Sequence, residues 1–260
     1  MGMKYWLALA NLVWLGCLPA GAVHATEAQV VVAASETGHD WYQGSQAEQA
    51  RVELEQQLQE AVLAQLHPDF FTLWKRLQAT PADKRGAIYD DIFTKLSRFQ
   101  HAWRGMDLVS REQMKTLKLD LNRPVVTQPS DDDLLTQVKS LRPQVAEYEA
   151  VRAKVHKLLA MPMASKWPTL DMPTLRAGES SAELGQIRAM LNELGDSAPS
   201  HGDQIYDGDT EQAIKQFQRR HGLTADGIIG RQTRSWLNTG PQVRASLLLR
   251  NLWRRDLVDQ

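Results

Sequence analysis

Cysteine is nearly absent from this chain of 260 residues, and its charges almost cancel. With Cys17 as the single cysteine, a disulfide within the chain is excluded, and packing must hold the fold together. A chain of this length forms one large or two modest domains and can bury a sizeable core. Lys and Arg number 30 against 31 Asp and Glu. This balance gives no support to nucleic acid as a partner, because such binding depends on a basic face that neutralises phosphates.

Long hydrophobic runs are also missing, apart from one short run near the N-terminus. The apolar run Tyr5–Gly16 follows Lys4, and Val23-His24-Ala25 fits the −3 to −1 positions of a cleavage site. The run is shorter than the roughly 20 apolar residues of a membrane-spanning helix. We therefore predict a signal peptide at 1–25 that is cleaved near Ala25, a periplasmic location and no membrane span.

Two other interpretations of the N-terminal run stay open. It could be a buried core helix, or Cys17 could be the lipid-bearing residue of a lipoprotein. The bulky Trp14 and Leu15 before Cys17 disfavour the lipoprotein. Cleavage near Ala25 would leave a mature chain without cysteine.

Apolar residues recur at helical spacing over most of the remaining chain, and strand signals are scarce. Val52, Leu54 and Leu58 lie largely on one predicted helix face. A later helix is predicted to bury its apolar residues Ile88, Ile92, Leu96 and Phe99. The pattern predicts a mainly α fold, with an N-terminal helical scaffold domain and a small three-helix module.

Changes in composition predict the division of the chain. The Met-, Pro- and Trp-rich stretch at 161–177 lacks periodicity and is predicted to be a linker. The predicted segments are a signal peptide at 1–25, a flexible leader at 26–44, a helical scaffold domain at 45–160, the linker at 161–177, a module at 178–240 and an amphipathic helix at 241–260. The leucines of this last helix are expected to pack on their own chain; the alternative is a partner protein.

Three aspartates, Asp131, Asp132 and Asp133, precede a predicted helix. Carboxylates are favoured there by the helix dipole. A calcium loop would also need a glycine and a distal glutamate at fixed spacing, which do not accompany them. We therefore predict no metal site and no cofactor.

The segment 178–240 carries the most specific pattern. Leu184, Ile187, Leu191 and Leu194 recur at helical spacing, and Gly195 predicts a left-handed stop. Capping patterns predict helix starts near Ser180 with Glu183, and near Asp209 with Gln212. The predicted core of the three helices contains Leu191, Phe217, Leu223, Ile229 and Leu237.

The spacing of the remaining motif residues resembles the peptidoglycan-binding domain family. These residues are Leu194-Gly195, Ala213-Ile214-x-x-Phe217-Gln218 and Gly222-Leu223-x-x-Asp226-Gly227-x-x-Gly230-x-x-Thr233. The resemblance implies that the module binds peptidoglycan. One departure is Tyr206-Asp207-Gly208-Asp209, where many relatives have Asp-Gly-x-Phe-Gly.

That departure and several upstream residues resemble the non-catalytic N-terminal part of large periplasmic L,D-transpeptidases. The residues that carry this likeness are Tyr206-Asp207, Leu141-Arg142-Pro143, Tyr148, Trp167-Pro168 and Leu175-Arg176-Ala177-Gly178. In such enzymes a scaffold domain and a binding module precede a β-rich domain with a Ser-Gly-Cys site. We expect Val243–Leu257 to be the helix that would lead into that domain, since Gln260 lies about where it would begin.

The chemistry of those enzymes needs a reactive cysteine thiolate. Because Cys17 lies in the predicted signal peptide, we predict no catalytic residue and no enzyme activity. The motifs S-x-x-K, H-E-x-x-H and G-x-S-x-G are absent as well. A zinc amidase or carboxypeptidase built from distant ligands, and a glycosidase carboxylate pair, stay open.

Residues around the Asp-Gly turn are the candidates for ligand binding. Gly227 and Gly230 would permit close approach of the backbone, and the next helix N-terminus could receive a carboxylate. The candidates are Tyr206, Gln218, Asp226, Gly227, Gly230 and Thr233. The alternative is that these residues only shape the turn.

Together these observations predict an exported, non-catalytic peptidoglycan-binding protein with a role in cell-wall attachment or remodelling. One alternative is a regulatory or scaffolding partner of a cell-wall transpeptidase or hydrolase. Another is a truncated remnant of an L,D-transpeptidase. The predicted partner is peptidoglycan, without nucleic acid.

Overall fold

Helices dominate the fold. The structure is a computed structural model, and it describes residues 39–105, 119–122, 133–196 and 204–258. Within these ranges it contains no β-strand and only two isolated β-bridges. The α-helices there are α1 (Ala47–Leu63), α2 (Pro68–Ala79), α3 (Gly86–Arg104), α4 (Leu134–Ser140), α5 (Tyr148–Leu159), α6 (Leu184–Leu194), α7 (Gly208–Arg220), α8 (Arg231–Leu237) and α9 (Pro241–Val258). The predicted mainly α fold is confirmed.

The predicted signal peptide at 1–25, with Cys17, and most of the leader at 26–44 lie outside the described residues. Asp131 and Asp132 lie outside them as well. Among the helices that are described, none combines the length and the apolar character needed to cross a membrane.

The described residues fall into two compact units. The first unit contains the residues up to Val62 together with His67–Arg142, and the second contains Leu63–Leu66 together with the residues from Pro143 onward. The domain limits given above from composition stay a prediction.

Aromatic packing between α2 and α3 forms much of the core of the first unit. The ring centroids of Phe70 and Phe99 are 5.5 Å apart in an edge-on arrangement, and Trp103 stacks on Phe99 at 5.5 Å. Edge-on and offset stacked contacts of this kind are favoured by the aromatic quadrupole. The predicted buried face of α3 is confirmed for Ile88, Ile92, Leu96 and Phe99.

The predicted apolar face of α1 is partly wrong. Leu54 is fully buried, but Val52 is 51% exposed, and the polar neighbours Glu53 and Gln57 are buried instead. Arg142 binds both oxygens of the Glu53 carboxylate through two nitrogens of its guanidinium, at 2.7 Å from Nε to Oε1 and 2.5 Å from Nη2 to Oε2. Gln57 Nε2 donates to the same carboxylate at 2.7 Å. A buried charge is tolerated only with such partners, and apolar periodicity cannot reveal them.

Asp133 is the N-cap of α4. Its carboxylate accepts a hydrogen bond from Thr136 N at 3.0 Å. This bond holds the pKa of Asp133 below its usual value. The prediction of an aspartate at this helix start is confirmed for Asp133.

In the second unit, α9 packs along α5. Ala245 and Leu249 of α9 are buried against Val155 and Leu158 of α5, with Ala64 in the same cluster. Tyr148 and Leu252 continue the contact in a neighbouring cluster that also contains Val145. Leu249 and Leu252 of the C-terminal helix therefore pack within their own chain, as expected, whereas Leu247 is 37% exposed.

Three helices, α6 to α8, surround a separate core in the second unit. Of the residues predicted for this core, Leu191, Phe217, Ile229 and Leu237 are fully buried, whereas Leu223 is half-buried. Gly195 ends α6 with a φ of 81°, so the predicted left-handed stop is confirmed.

The predicted cap of α6 is wrong. Ser180 pairs with Ile205 in an antiparallel bridge, and α6 begins only at Leu184. Glu183 does not reach back to Ser180; instead, its carboxylate accepts a hydrogen bond from Asp171 N at 3.3 Å. A long-range backbone pairing therefore replaces the local capping box.

The predicted start of α7 is displaced. The helix begins at Gly208, and Asp207 is its N-cap in place of the Asp209 pattern. Asp207 Oδ1 accepts from Thr210 N at 2.7 Å, and Asp207 Oδ2 binds Arg188 Nη2 at 2.7 Å. The buried Arg188 favours Asp207 over Asp209, because only the former reaches this guanidinium as well as the helix N-terminus.

Candidate functional site

The candidate site is the turn between α7 and α8, residues 226–230, which we call the Asp-Gly loop. A backbone pairing fixes its far end: Leu175 N donates to Ile229 O at 3.3 Å, and Ile229 N donates to Leu175 O at 3.0 Å. The loop is thus joined to the segment before α6 by an isolated antiparallel bridge.

The buried side-chain amide of Gln218 holds the loop from inside. Gln218 is 1% exposed, and its Oε1 accepts from Gly227 N at 2.9 Å. Its Nε2 lies 2.9 Å from Asp226 Oδ1, 3.0 Å from Ile228 O and 3.1 Å from Thr233 Oγ1. This pattern fixes the amide orientation, because a backbone N–H can only donate and a carbonyl can only accept. One side chain of α7 therefore joins the loop to the first turn of α8.

Tyr206 binds the second backbone polar group of Gly227. Its hydroxyl donates to Gly227 O at 2.5 Å, and the ring is 1% exposed. Burial raises the pKa of Tyr206, and the nearby carboxylates of Glu211 and Asp226 add to the effect. Tyr206 therefore stays a neutral donor, and the backbone N–H and C=O of Gly227 are both hydrogen-bonded within the domain.

The two glycines of the loop differ in what they require. Gly227 has a φ of 77°, and a Cβ built on it would lie 2.7 Å from Glu211 Cγ. Gly230 has an extended backbone with φ −84°, and a Cβ there would meet nothing within 4 Å. Only Gly227 needs to be glycine for steric reasons.

Asp226 is the exposed member of the network. Its Oδ1 accepts from Ile228 N at 2.8 Å and from Gln218 Nε2 at 2.9 Å. The pKa of Asp226 is lowered, first by the hydrogen bond from Ile228 N and then by that from Gln218. The carboxylate is therefore charged at neutral pH, while one oxygen is held by the loop.

The structure brings five of the six candidate residues into one hydrogen-bonded network. Tyr206, Gln218 and Thr233 are buried, and their side-chain polar atoms form hydrogen bonds within this network. Asp226 is exposed, and Gly230 stands apart as the N-cap of α8. Direct contact between these six residues and a ligand stays a prediction.

Sequence reasoning missed the charged residues around the loop. Glu211 and Lys215 form an ion pair at 2.7 Å, one turn apart on α7, and both lie against Gly227. Arg176 is exposed next to the bridge residue Leu175, and its charge acts on Asp226. The i, i+4 spacing of Glu211 and Lys215 was the available signal, but nothing local links either residue to the turn.

A second cluster surrounds His221 at the end of α7. Its Nδ1 lies 2.7 Å from Phe217 O, and its Nε2 lies 2.6 Å from Arg244 Nη1 of α9. A carbonyl can only accept and a guanidinium can only donate, so the neutral imidazole carries its proton on Nδ1. The ring lies between Phe217 and Trp236, with centroid distances of 4.0 and 4.9 Å. Arg244 also donates to Thr239 O at 2.7 Å and to Trp236 O, and so holds α9 to the end of α8.

We predict that Gln218→Ala lowers the free energy of unfolding by about 2 to 4 kcal/mol, because Gly227 N–H and Ile228 O lose a buried partner. Chemical denaturation monitored by circular dichroism measures the change. The matched control is Gln216→Ala on the exposed face of the same helix, expected within about 0.5 kcal/mol of the wild type. Equal effects of the two substitutions would contradict the role of the Gln218 amide.

Alanine substitutions should separate the two glycines. Gly227→Ala is expected to cost about 1 to 2 kcal/mol, since it places a Cβ at positive φ and displaces the Glu211 side chain. Gly230→Ala, in an ordinary backbone conformation, should change stability by no more than about 0.5 kcal/mol. Thermal melts of the two variants provide the comparison, and a larger loss for Gly230→Ala would refute the assignment.

The stability of the protein should depend on His221 at mildly acidic pH. Burial lowers the pKa of His221 below its ordinary value of 6.5, and the charges of Arg244 and Arg220 lower it further. The hydrogen bond to Phe217 O and the charge of Asp196 oppose this shift but do not cancel it. The unfolded chain therefore takes up a proton first as the pH falls below about 6.5, and stability is lost until the folded pKa is reached.

Melting temperatures measured from pH 7.5 to pH 5 test this dependence. His221→Gln should show a smaller decrease than the wild type. His156, whose pKa is also lowered by burial and by Arg152, is present in both proteins and cancels in the difference. Parallel curves for the two proteins would show that His221 makes no contribution.

Comparison with known proteins agrees with the geometry of this region. Residues 180–237 match the family model described as "Putative peptidoglycan binding domain". The chain is also similar to the N-acetylmuramoyl-L-alanine amidase CwlM of Mycobacterium tuberculosis (strain ATCC 25618 / H37Rv), at 35% identity over 72 residues. The match covers 24% of this chain, and the chain spans only 18% of the length of that relative.

The family match covers the three helices, the Asp-Gly loop and the Gln218 network. The wider likeness to L,D-transpeptidases stays a prediction. Residues 180–237 form a domain of the peptidoglycan-binding type, as their motif spacing predicts.

Proposed function

We propose that this protein is an exported, non-catalytic peptidoglycan-binding protein with a role in cell-wall attachment or remodelling. The observation that carries the proposal is the peptidoglycan-binding domain at 180–237, whose Asp-Gly loop is fixed from inside by Gln218 and Tyr206. A loop that is already ordered loses little conformational freedom when a ligand binds, which favours affinity.

The buried and the exposed candidates have different roles in this proposal. Tyr206, Gln218 and Thr233 hold the loop in place. Because Gly227 has no Cβ, the backbone of the loop can lie close to the Glu211 side chain. Asp226 and the backbone near Gly230 supply the contacts to the wall. Contact through one small domain is weak, but a polymer with many sites raises the effective concentration of ligand.

Two further parts of the proposal rest on the sequence. Export rests on the charged start, apolar run and cleavage site within residues 1–25. The absence of catalysis rests on the position of Cys17, the single cysteine, within that segment. The amidase activity in the name of the CwlM relative is not transferred, because the match spans 18% of that protein.

A regulatory or scaffolding partner of a cell-wall transpeptidase or hydrolase is the second candidate. The observation that favours it is the outward side of α9, where Val243 is 54% and Leu247 is 37% exposed. Apolar side chains one helical turn apart on a surface provide a small contact area for another protein.

Co-sedimentation with purified sacculi tests the proposed function. The full chain should be retained in the pellet, and Gln218→Ala should be retained less because its loop is no longer held. Gln216→Ala is the matched control and should behave as the wild type. Circular dichroism at the assay temperature establishes that each variant is folded.

The same incubation tests the absence of catalysis. Muropeptides released from the sacculi afterwards should be unchanged in composition. Failure of the folded wild type to sediment with sacculi would refute wall binding, and new cross-linked or cleaved muropeptides would refute a non-catalytic role.

A further inference from the structure

The aromatic rings of the module point inward. Within the described part of 178–240, Tyr206 and Phe217 are buried, and Trp236 and His221 are half-buried against each other. The guanidinium of Arg244 lies 5.9 Å from the Trp236 ring centroid and covers part of it. The C–H face of a sugar ring packs best on an exposed aromatic ring, and the described surface of the module presents none.

Charged side chains surround the Asp-Gly loop instead. Glu211 and Lys215 lie on the α7 side of the loop, where a Cβ on Gly227 would be 2.7 Å from Glu211 Cγ and 3.0 Å from Lys215 Cε. Each side chain is 26% exposed, so both reach solvent at the loop edge. Their ion pair holds them in place at an Nζ–Oε1 distance of 2.7 Å.

The other two charges lie on the side of the extended segment. The bridge between Leu175 and Ile229 brings the exposed Arg176 to the loop beside Asp226. Arg176 acts electrostatically on the Asp226 carboxylate, after the larger effect of the hydrogen bonds from Ile228 N and Gln218. We call Arg176, Glu211, Lys215 and Asp226 the charged rim; it has two positive and two negative groups.

A rim with both signs of charge fits a ligand that carries both. The stem peptides of peptidoglycan have carboxylates and an amino group on a chain of amides. The glycan strand to which they are attached is uncharged, because the lactyl carboxyl of each substituted sugar is consumed in the amide link to the peptide. Arg176 and Lys215 can receive carboxylates, while Asp226 and Glu211 can receive an ammonium group.

We infer that the module recognises the stem peptide of peptidoglycan through the charged rim, rather than its glycan. The inference rests on the proposed function and names the part of the polymer that is bound. The contacts are exposed ion pairs, so each one contributes a factor of roughly two to five in affinity. Binding should weaken as salt rises, because the Debye length falls below about 10 Å above 0.1 M.

Competition between the two products of one digestion tests this inference. Purified sacculi are treated with an N-acetylmuramoyl-L-alanine amidase, and the released peptides are separated from the peptide-free glycan strands. The lactyl carboxyls that this cleavage frees on the strands are then converted to methylamides, so that the glycan fraction stays uncharged. Each fraction then competes with intact sacculi for the full chain in a sedimentation assay. The peptide fraction should displace the protein, and the glycan fraction at equal mass should not.

Substitutions in the rim give an independent measurement. Arg176→Gln combined with Lys215→Gln should lower affinity for intact sacculi roughly tenfold and flatten its salt dependence. The matched control is Arg254→Gln combined with Arg255→Gln on α9, which makes the same change in net charge and should leave binding near the wild-type value. Both double variants should melt close to the wild type, since all four side chains form at most surface contacts.

The outcomes distinguish this inference from the proposed function. Displacement by the glycan fraction alone, or equal loss of binding in the two double variants, would overturn recognition of the peptide while sacculus binding stands. Failure of the wild type to bind intact sacculi would overturn both. Displacement by the peptide fraction, with loss confined to the rim variant, is the result that the charged rim predicts.

Discussion

The Gln218 side-chain amide is the interaction on which the candidate site depends. It is buried, and it satisfies a backbone N–H of the loop, a backbone carbonyl of the loop and the hydroxyl of Thr233 on α8. A buried polar group is costly without partners and rigid with all of them. The same side chain therefore stabilises the three-helix packing and fixes the conformation of the Asp-Gly loop.

Because this amide fixes the loop from the buried side, the buried residues hold the loop and the exposed residues are available to a ligand. Tyr206 binds the backbone C=O of Gly227 and Gln218 binds its N–H, so neither side chain has to face a ligand. The charges of Arg176, Glu211 and Lys215 stand around the fixed loop. A small domain can in this way present an ordered surface although its own core contains few residues.

Sequence reasoning predicted the helices and the loop but not the partners that hold them. The stop at Gly195 and the burial of Phe217 follow from local rules, because a left-handed terminus and an apolar stripe depend on neighbours along the chain. The prediction of a helix cap at Ser180 was wrong, because Ser180 pairs with Ile205, a residue distant in the sequence. The sequence likewise could not show that only Gly227 excludes a side chain, since the clash at Gly227 comes from Glu211 on helix α7.

Hydrogen exchange at the Gly227 amide tests the central claim most directly. If the Gln218 amide holds the loop, the Gly227 N–H exchanges only when the domain opens, at a rate close to that of the buried amides of α7. Nuclear magnetic resonance measures both rates in one sample of the full chain. Protection of Gly227 equal to that of the α7 core is the predicted result, and exchange as fast as in an exposed turn would contradict the account.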